Sequence, residues 1–205
     1  MAIDIAASAI VYPGVVFTGS VYIEDGCIIG VPIMGCAEQP ETIIGDGAII
    51  RSHTVIYAGN RIGNMFSTGN KANIREFNTI GDNVSVGTMA VIEHHVQVGN
   101  GVRLHSQSFV PEYCVLEDGA WIGPNAVLTN TRYPLSREAK STPLPVTVGR
   151  GAIVGANSTI LPGVKIGQSC LIGAGSVVVK DVEARAVMAG NPARFIRTKD
   201  DLPYD

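Results

Sequence analysis

The chain has 205 residues, enough for one domain with a continuous core. A formal net charge of -3 with pI near 5.8 argues against a nucleic-acid surface, and no apolar run approaches the roughly 18 residues a membrane-spanning helix needs. Hydrophobic residues make up 46% but aromatics only 6%, a balance that suits a narrow interior filled by aliphatic and small side chains.

The opening MAIDIAASAIVYP has no basic n-region and predicts no signal peptide. It runs straight into a beat in which a large apolar residue returns every sixth position: Ile5, Val11, Phe17, Ile23 and Ile29. After a break at 31–42, which holds Pro32 and Pro40, the beat restarts at Ile44. It runs unbroken to Leu128 except at Thr68. A second break, 130–145, is charged and Pro-rich, and we take it as the candidate active-site loop. The beat resumes at Val148 and continues to Val178.

Neither a helical period nor plain alternation produces a period of six. Three short strands closing a triangular coil do, and stacked coils form an all-β parallel β-helix in which residues 18 apart lie over one another. The chain is expected to divide into a β-helix over 1–183, with loops near 31–42 and 130–145, and a C-terminal cap over 184–205. Such a tail can cover the open end of the stack. Cys27, Cys114 and Cys170 fall in the second inward slot and read as small core residues, whereas Cys36 lies in a loop. No metal spacing appears, and a reducing cytoplasm is the simplest setting.

Gly45-Asp46, Gly63-Asn64, Gly81-Asp82 and Gly99-Asn100 form one column of corners and read as turn chemistry rather than catalysts. A second column holds Ala58, Glu76, His94, Glu112 and Asn130, so His94 is expected between two carboxylates at the root of the long loop. A neighbouring carboxylate can raise an imidazole pKa and select its tautomer, which suits a general base. His95 is the alternative base. His53 stacks with Lys71, Met89 and Gln107 and reads as a corner residue, and His105 reads as surface or interface packing.

The stretches IGDGAIIRSHTVIYAGNRIGNMFSTGN, IGPNAVLTN and IGAGSVVVKDV followed by AGNPAR resemble the hexapeptide-repeat acyltransferase superfamily over essentially the full length. The nearest resemblance is to N-acyltransferases that act on nucleotide-linked amino-deoxysugars. It implies a left-handed coil, a homotrimer with sites at subunit interfaces, and acyl-CoA as co-substrate with no tightly bound cofactor. Handedness does not follow from the period, since crossovers between parallel strands are ordinarily right-handed. The column together with the resemblance makes His94, Glu112 and Glu76 the catalytic candidates and Asn130, His95, Asn70 and His105 the acceptor-binding candidates, of which the segment at His94 and the position of Asn130 resemble family positions. Gly155, Gly173, Ala174 and Ser176 match the family's acyl-CoA region, and Lys180, Arg194 and Arg197, from the most basic stretch of an acidic chain, are candidates for the phosphates of CoA. Two departures stand out. Relatives often carry His after Ser67-Thr68-Gly69, where this chain has Asn70, and an acidic residue follows the catalytic His in one branch, where this chain has His95.

Other readings are an O-acetyltransferase, an acyltransferase for a small amine or antibiotic, a γ-type carbonic anhydrase, and a non-catalytic scaffold. The carbonic anhydrase requires two histidines five residues apart, and His53, His94, His95 and His105 supply no such pair.

Overall fold

In the computed structural model, which describes residues 2–203, the chain winds as a left-handed parallel β-helix of about ten coils, with no α-helix among the described residues. Three sheets form the faces of a triangular prism. Face A begins at Ile3–Ile5, face B at Ile10–Val11 and face C at Val15–Phe17. Strands 18 residues apart pair in parallel, as Ile74 with Ile92 and Ile92 with Val110. The beat residues point inward: Ile44, Ile50, Ile56, Ile74, Ile92 and Leu128 are fully buried in one continuous core. Cys27, Cys114 and Cys170 are also buried, and desolvation pushes the Cys114 thiol up to about 12.

The one missed beat has a polar reason. Thr68 faces the core, with its hydroxyl 3.1 Å from that of Thr54, and it accepts the Arg51 backbone N–H at 2.9 Å. Thr54 in turn donates to the Gly69 carbonyl. The Gly-Asp corners, at the edge between faces C and A, are likewise structural. Each Asx side chain accepts the backbone N–H of the coil before it: Asp46 from Ser20, Asn64 from Asp46, Asp82 from Asn64, Asn100 from Asp82 and Asp118 from Asn100.

Phe17 pairs with Ile44 and Leu116 with Val148, steps of 27 and 32 positions in place of 18, so both insertions leave the prism without disturbing its register. The first leaves face B after Val31 and rejoins face C at Thr42, and the second spans the gap between Leu128 and Thr147. Both therefore sit on the edge between faces B and C. At the far end Val182 bridges to Ile166, two residues short of the full step, and remains buried. Strands Ala186–Gly190 and Ala193–Thr198 then form an antiparallel hairpin on the last strand of face A.

Ile92→Ala should cost about 2–5 kcal/mol, because the stacked coils leave little freedom to collapse on the cavity. Thr68→Val, although it restores the beat, should destabilise by about 1–3 kcal/mol, because the Arg51 N–H loses its acceptor. Chemical denaturation of both variants measures these losses; a stabilised Thr68→Val protein would contradict the second.

Candidate active site

The edge between faces B and C is unlike the other two. Successive coils pass it as Tyr57-Ala58-Gly59-Asn60, Arg75-Glu76-Phe77-Asn78, Glu93-His94-His95-Val96 and Pro111-Glu112-Tyr113-Cys114. The backbone is locked from inside by buried Asn60 and Asn78, whose side-chain oxygens accept the N–H groups of Asn78 and Val96. The outward side chains are thus held on a fixed frame, which is what a catalytic constellation requires.

His94 stacks between Glu76 and Glu112 in the column, but neither carboxylate is its hydrogen-bond partner. Glu76, only 9% exposed, is held in a two-pronged contact by Arg75, with Nε to Oε2 at 2.8 Å and Nη2 to Oε1 at 3.0 Å. Burial opposes ionisation of Glu76, yet the Arg75 hydrogen bond, with a backbone bond and the nearby positive charge, outweighs it and holds the carboxyl below its usual range. Arg75 itself lies 4.8 Å over the Tyr57 ring and 3.6 Å from Glu93. Glu112 accepts the Asn130 side-chain amide at 2.5 Å.

The partner of His94 is His95, with Nδ1 to Nδ1 at 2.9 Å. One of these nitrogens must carry the proton and the other must accept it. The donor ring then exposes an unprotonated Nε2, and the acceptor ring carries its proton on Nε2. The pair selects a tautomer without a carboxylate. Desolvation first, and the charge of His94 second, lower the His95 pKa, while Glu76 partly offsets them.

The second insertion closes over this edge. His94, Glu112, Tyr113 and Asn130 line a cavity of about 540 Å³ whose outer wall is the loop, through Leu135, Lys140 and Pro143. This arrangement brings four of the seven catalytic and acceptor candidates together: His94, Glu112 and Asn130 on the cavity, with His95 behind His94. Glu76 lies one coil away and is engaged by Arg75. A wider depression of about 610 Å³ on face C contains no histidine, and its Glu117 and Asp118 are engaged with Arg150, so it offers no base.

The remaining candidates lie elsewhere. Asn70 and His105 occupy the edge between faces A and B, where His105 packs on Trp121 with ring centroids 4.3 Å apart beside a groove that includes Gly69 and Gly87. Gly155, Gly173 and Ala174 follow on that edge. A Cβ at Gly155 would fall 2.5 Å from the Ala174 nitrogen, so coil stacking alone demands this glycine; at Gly173 the nearest atom is the Ala189 Cβ at 3.1 Å. Ser176 is buried, donating to the Gly173 carbonyl at 2.6 Å and accepting the Gly190 N–H, so its hydroxyl ties the last coil to the hairpin rather than facing solvent. Lys180 and Arg194 meet in a cavity of about 450 Å³ that includes Val178, Met188 and Phe195, whereas the exposed Arg197 sits outside it.

Tyr113, Arg75 and Phe77 were not singled out by sequence reasoning. The signal was present: Phe77, His95 and Tyr113 recur at the 18-residue step in a chain poor in aromatics. Their ring centroids lie 5.0 Å and 5.3 Å apart.

A folded-state pKa held below the ordinary histidine value of about 6.5 makes His95 bind protons less readily than in the unfolded chain. Its contribution is therefore intact above that value and is lost as pH falls through it toward the lower folded pKa. Urea midpoints measured between about pH 5 and 8 should fall on acidification, and His95→Asn, which suits the left-handed backbone at this corner (φ 58°), should flatten the slope. An unchanged slope would contradict the assignment.

Residues 79–112 and 145–180 match the bacterial transferase hexapeptide family (six repeats). The chain is 37% identical over 99 residues to the galactoside O-acetyltransferase of Escherichia coli, covering 46% of this chain and 49% of that protein. It is 39% identical over 84 residues to a 2,3,4,5-tetrahydropyridine-2,6-dicarboxylate N-acetyltransferase of Clostridium perfringens, covering 41% and 33%. The chain thus spans half or less of the length of these curated relatives. A UDP-N-acetylglucosamine acyltransferase from Bacteroides fragilis superposes with a TM-score of 0.79 at 18% identity, covering 96% of this chain and 75% of that one, a likeness of fold. The matched stretches, about a third of the chain, fall within the six-residue beat and the coils it builds, so the likeness is to the repeat and its fold.

Proposed function

We propose that the protein is an acyl-CoA-dependent acyltransferase that acylates the amine of a nucleotide-linked amino-deoxysugar, with acetyl or a short hydroxyacyl group as the transferred unit. The observation that carries this reading is the His94–His95 pair beside the Glu112–Asn130 contact in a loop-covered cavity. The names of the relatives support acetyl transfer as the chemistry.

In the reaction the acceptor amine, neutral at the moment of attack, adds to the thioester carbonyl. His94 Nε2 takes the amine proton as the C–N bond forms, provided its Nδ1–H donates to His95. Collapse of the tetrahedral intermediate breaks the C–S bond, and the proton on His94 passes to the leaving thiolate. Glu112, fixed by Asn130, is placed to accept a hydrogen bond from the acceptor's amine or a hydroxyl. Lys180 and Arg194 supply positive charge suited to the phosphates of CoA.

His94 and His105 lie on different edges of one prism. A homotrimer, in which one chain's A–B edge faces a neighbour's B–C edge, would join them into one site and give His105, Asn70 and the glycine column a role beside the cavity. The four free thiols suit a cytoplasmic setting.

The O-acetyltransferase reading keeps the same base and donor and changes only the nucleophile; the galactoside O-acetyltransferase relative favours it. Release of CoA from acetyl-CoA, measured with a dTDP-linked amino-dideoxyhexose and with methyl β-galactoside, separates the two. His94→Asn should lower kcat/KM by about 10²–10⁴-fold. If His94→Asn and Glu112→Gln both keep most of kcat, the general-base assignment is wrong.

A further inference from the structure

Each edge of the prism has one column of corner residues with positive φ. The C–A edge uses Gly47, Met65, Asn83, Gly101 and Gly119, and the A–B edge uses His53, Lys71, Met89, Gln107 and Asn125. The B–C edge departs. After Gly59 it carries three rings in succession, Phe77, His95 and Tyr113, at φ 61°, 58° and 64°. Ring-bearing residues on three consecutive coils thus stand at the edge that also bears the histidine pair, whereas the left-handed corner backbone itself is common to all three edges.

The rings form a stack. Phe77 and His95 are tilted at 40°, and His95 and Tyr113 lie at 29° with centroids 5.3 Å apart. A fourth ring is missing because the next corner is where the second insertion leaves the prism. The cavity under that loop touches Tyr113 but neither His95 nor Phe77, so it opens on the side of the Tyr113 ring away from His95. Tyr113 is 44% exposed there. His94 stands edge-on to the same ring at 5.4 Å. Glu112, Asn130 and Lys140 line the same cavity.

We propose that the ligand supplies the fourth ring: a pyranose lays its C–H face on Tyr113, directing its amine or hydroxyl to His94 and its other polar substituents to Glu112 and Asn130. An exposed aromatic ring in a cavity that also holds polar side chains matches a sugar, which is apolar on its ring face and polar at its equator. The proposal rests on the acyl-transfer reading for the role of His94 but not on whether the nucleophile is nitrogen or oxygen. It makes Tyr113 a binding residue that selects cyclic acceptors over open-chain amines.

Saturation-transfer NMR with the full chain tests it, using two probes without acyl donor: a dTDP-linked 3-amino-3,6-dideoxyglucose and methyl β-galactopyranoside. Tyr113→Phe keeps the ring. Tyr113→Asn removes it while suiting the left-handed backbone, so a lost signal in a protein with an unchanged unfolding midpoint reports the ring itself. Saturation of pyranose ring protons in at least one probe, kept in Tyr113→Phe and lost with about tenfold weaker binding in Tyr113→Asn, supports stacking. Three results overturn it: no pyranose saturation from either probe, saturation unchanged in Tyr113→Asn, or loss confined to the thymine protons. Failure of the amino-sugar reading shows separately, as CoA release with the galactoside but not with the amino sugar, while the stacking result stands or falls on its own.

Discussion

The requirement that each coil lie in register on the next governs everything else in this molecule. Backbone N–H groups of one coil donate to carbonyls of the following one, as Arg75 to Ile92 and Glu93 to Val110, so a coil cannot change length without breaking its neighbours' bonds. Surplus residues must leave at a corner and return to the same register. Both insertions do this at the B–C edge, and the same rule explains the inward Thr68, the Asx column and the glycines whose missing Cβ atoms make room for the next coil.

A frame this rigid turns sequence position into spatial position. Side chains on one edge are repeated along the prism axis at the strand spacing of roughly 4.8 Å. That spacing suits ring stacking and the contact between neighbouring polar side chains, such as Glu112 and Asn130. His94 and His95, adjacent in sequence, meet through their Nδ1 atoms because the corner backbone turns sharply between them, with His95 in the left-handed region. The long loop then excludes part of the solvent from the edge and closes the cavity, giving the site a wall that the repeat alone cannot supply.

Most of the architecture was legible in the sequence. The six-residue beat, the two breaks, the inward cysteines and the structural corner column all follow from periodicity and turn chemistry, and the coils place them as expected. The column from Ala58 to Asn130 was legible for the same reason. Which partner each side chain takes was not. Arg75, sequence neighbour of Glu76, captures that carboxylate, and His95 rather than a carboxylate bonds His94, because side-chain direction at a corner depends on local φ and not on the repeat. Ser176 is a buried tie to a hairpin that lies outside the repeat, so the period gave no warning of it. The aromatic stack was visible at the 18-residue step, but each ring taken singly reads as an ordinary corner residue.

In the proposed reaction, acyl transfer takes place at the B–C edge with His94 as the base. A crystal structure of the protein with CoA and an amino-sugar nucleotide tests this most directly. The acceptor nitrogen is expected within about 3.2 Å of His94 Nε2, under the second insertion. An acceptor nitrogen bound nearer His105 on the A–B edge, with the cavity beside His94 empty of sugar in every copy of the chain, would contradict it.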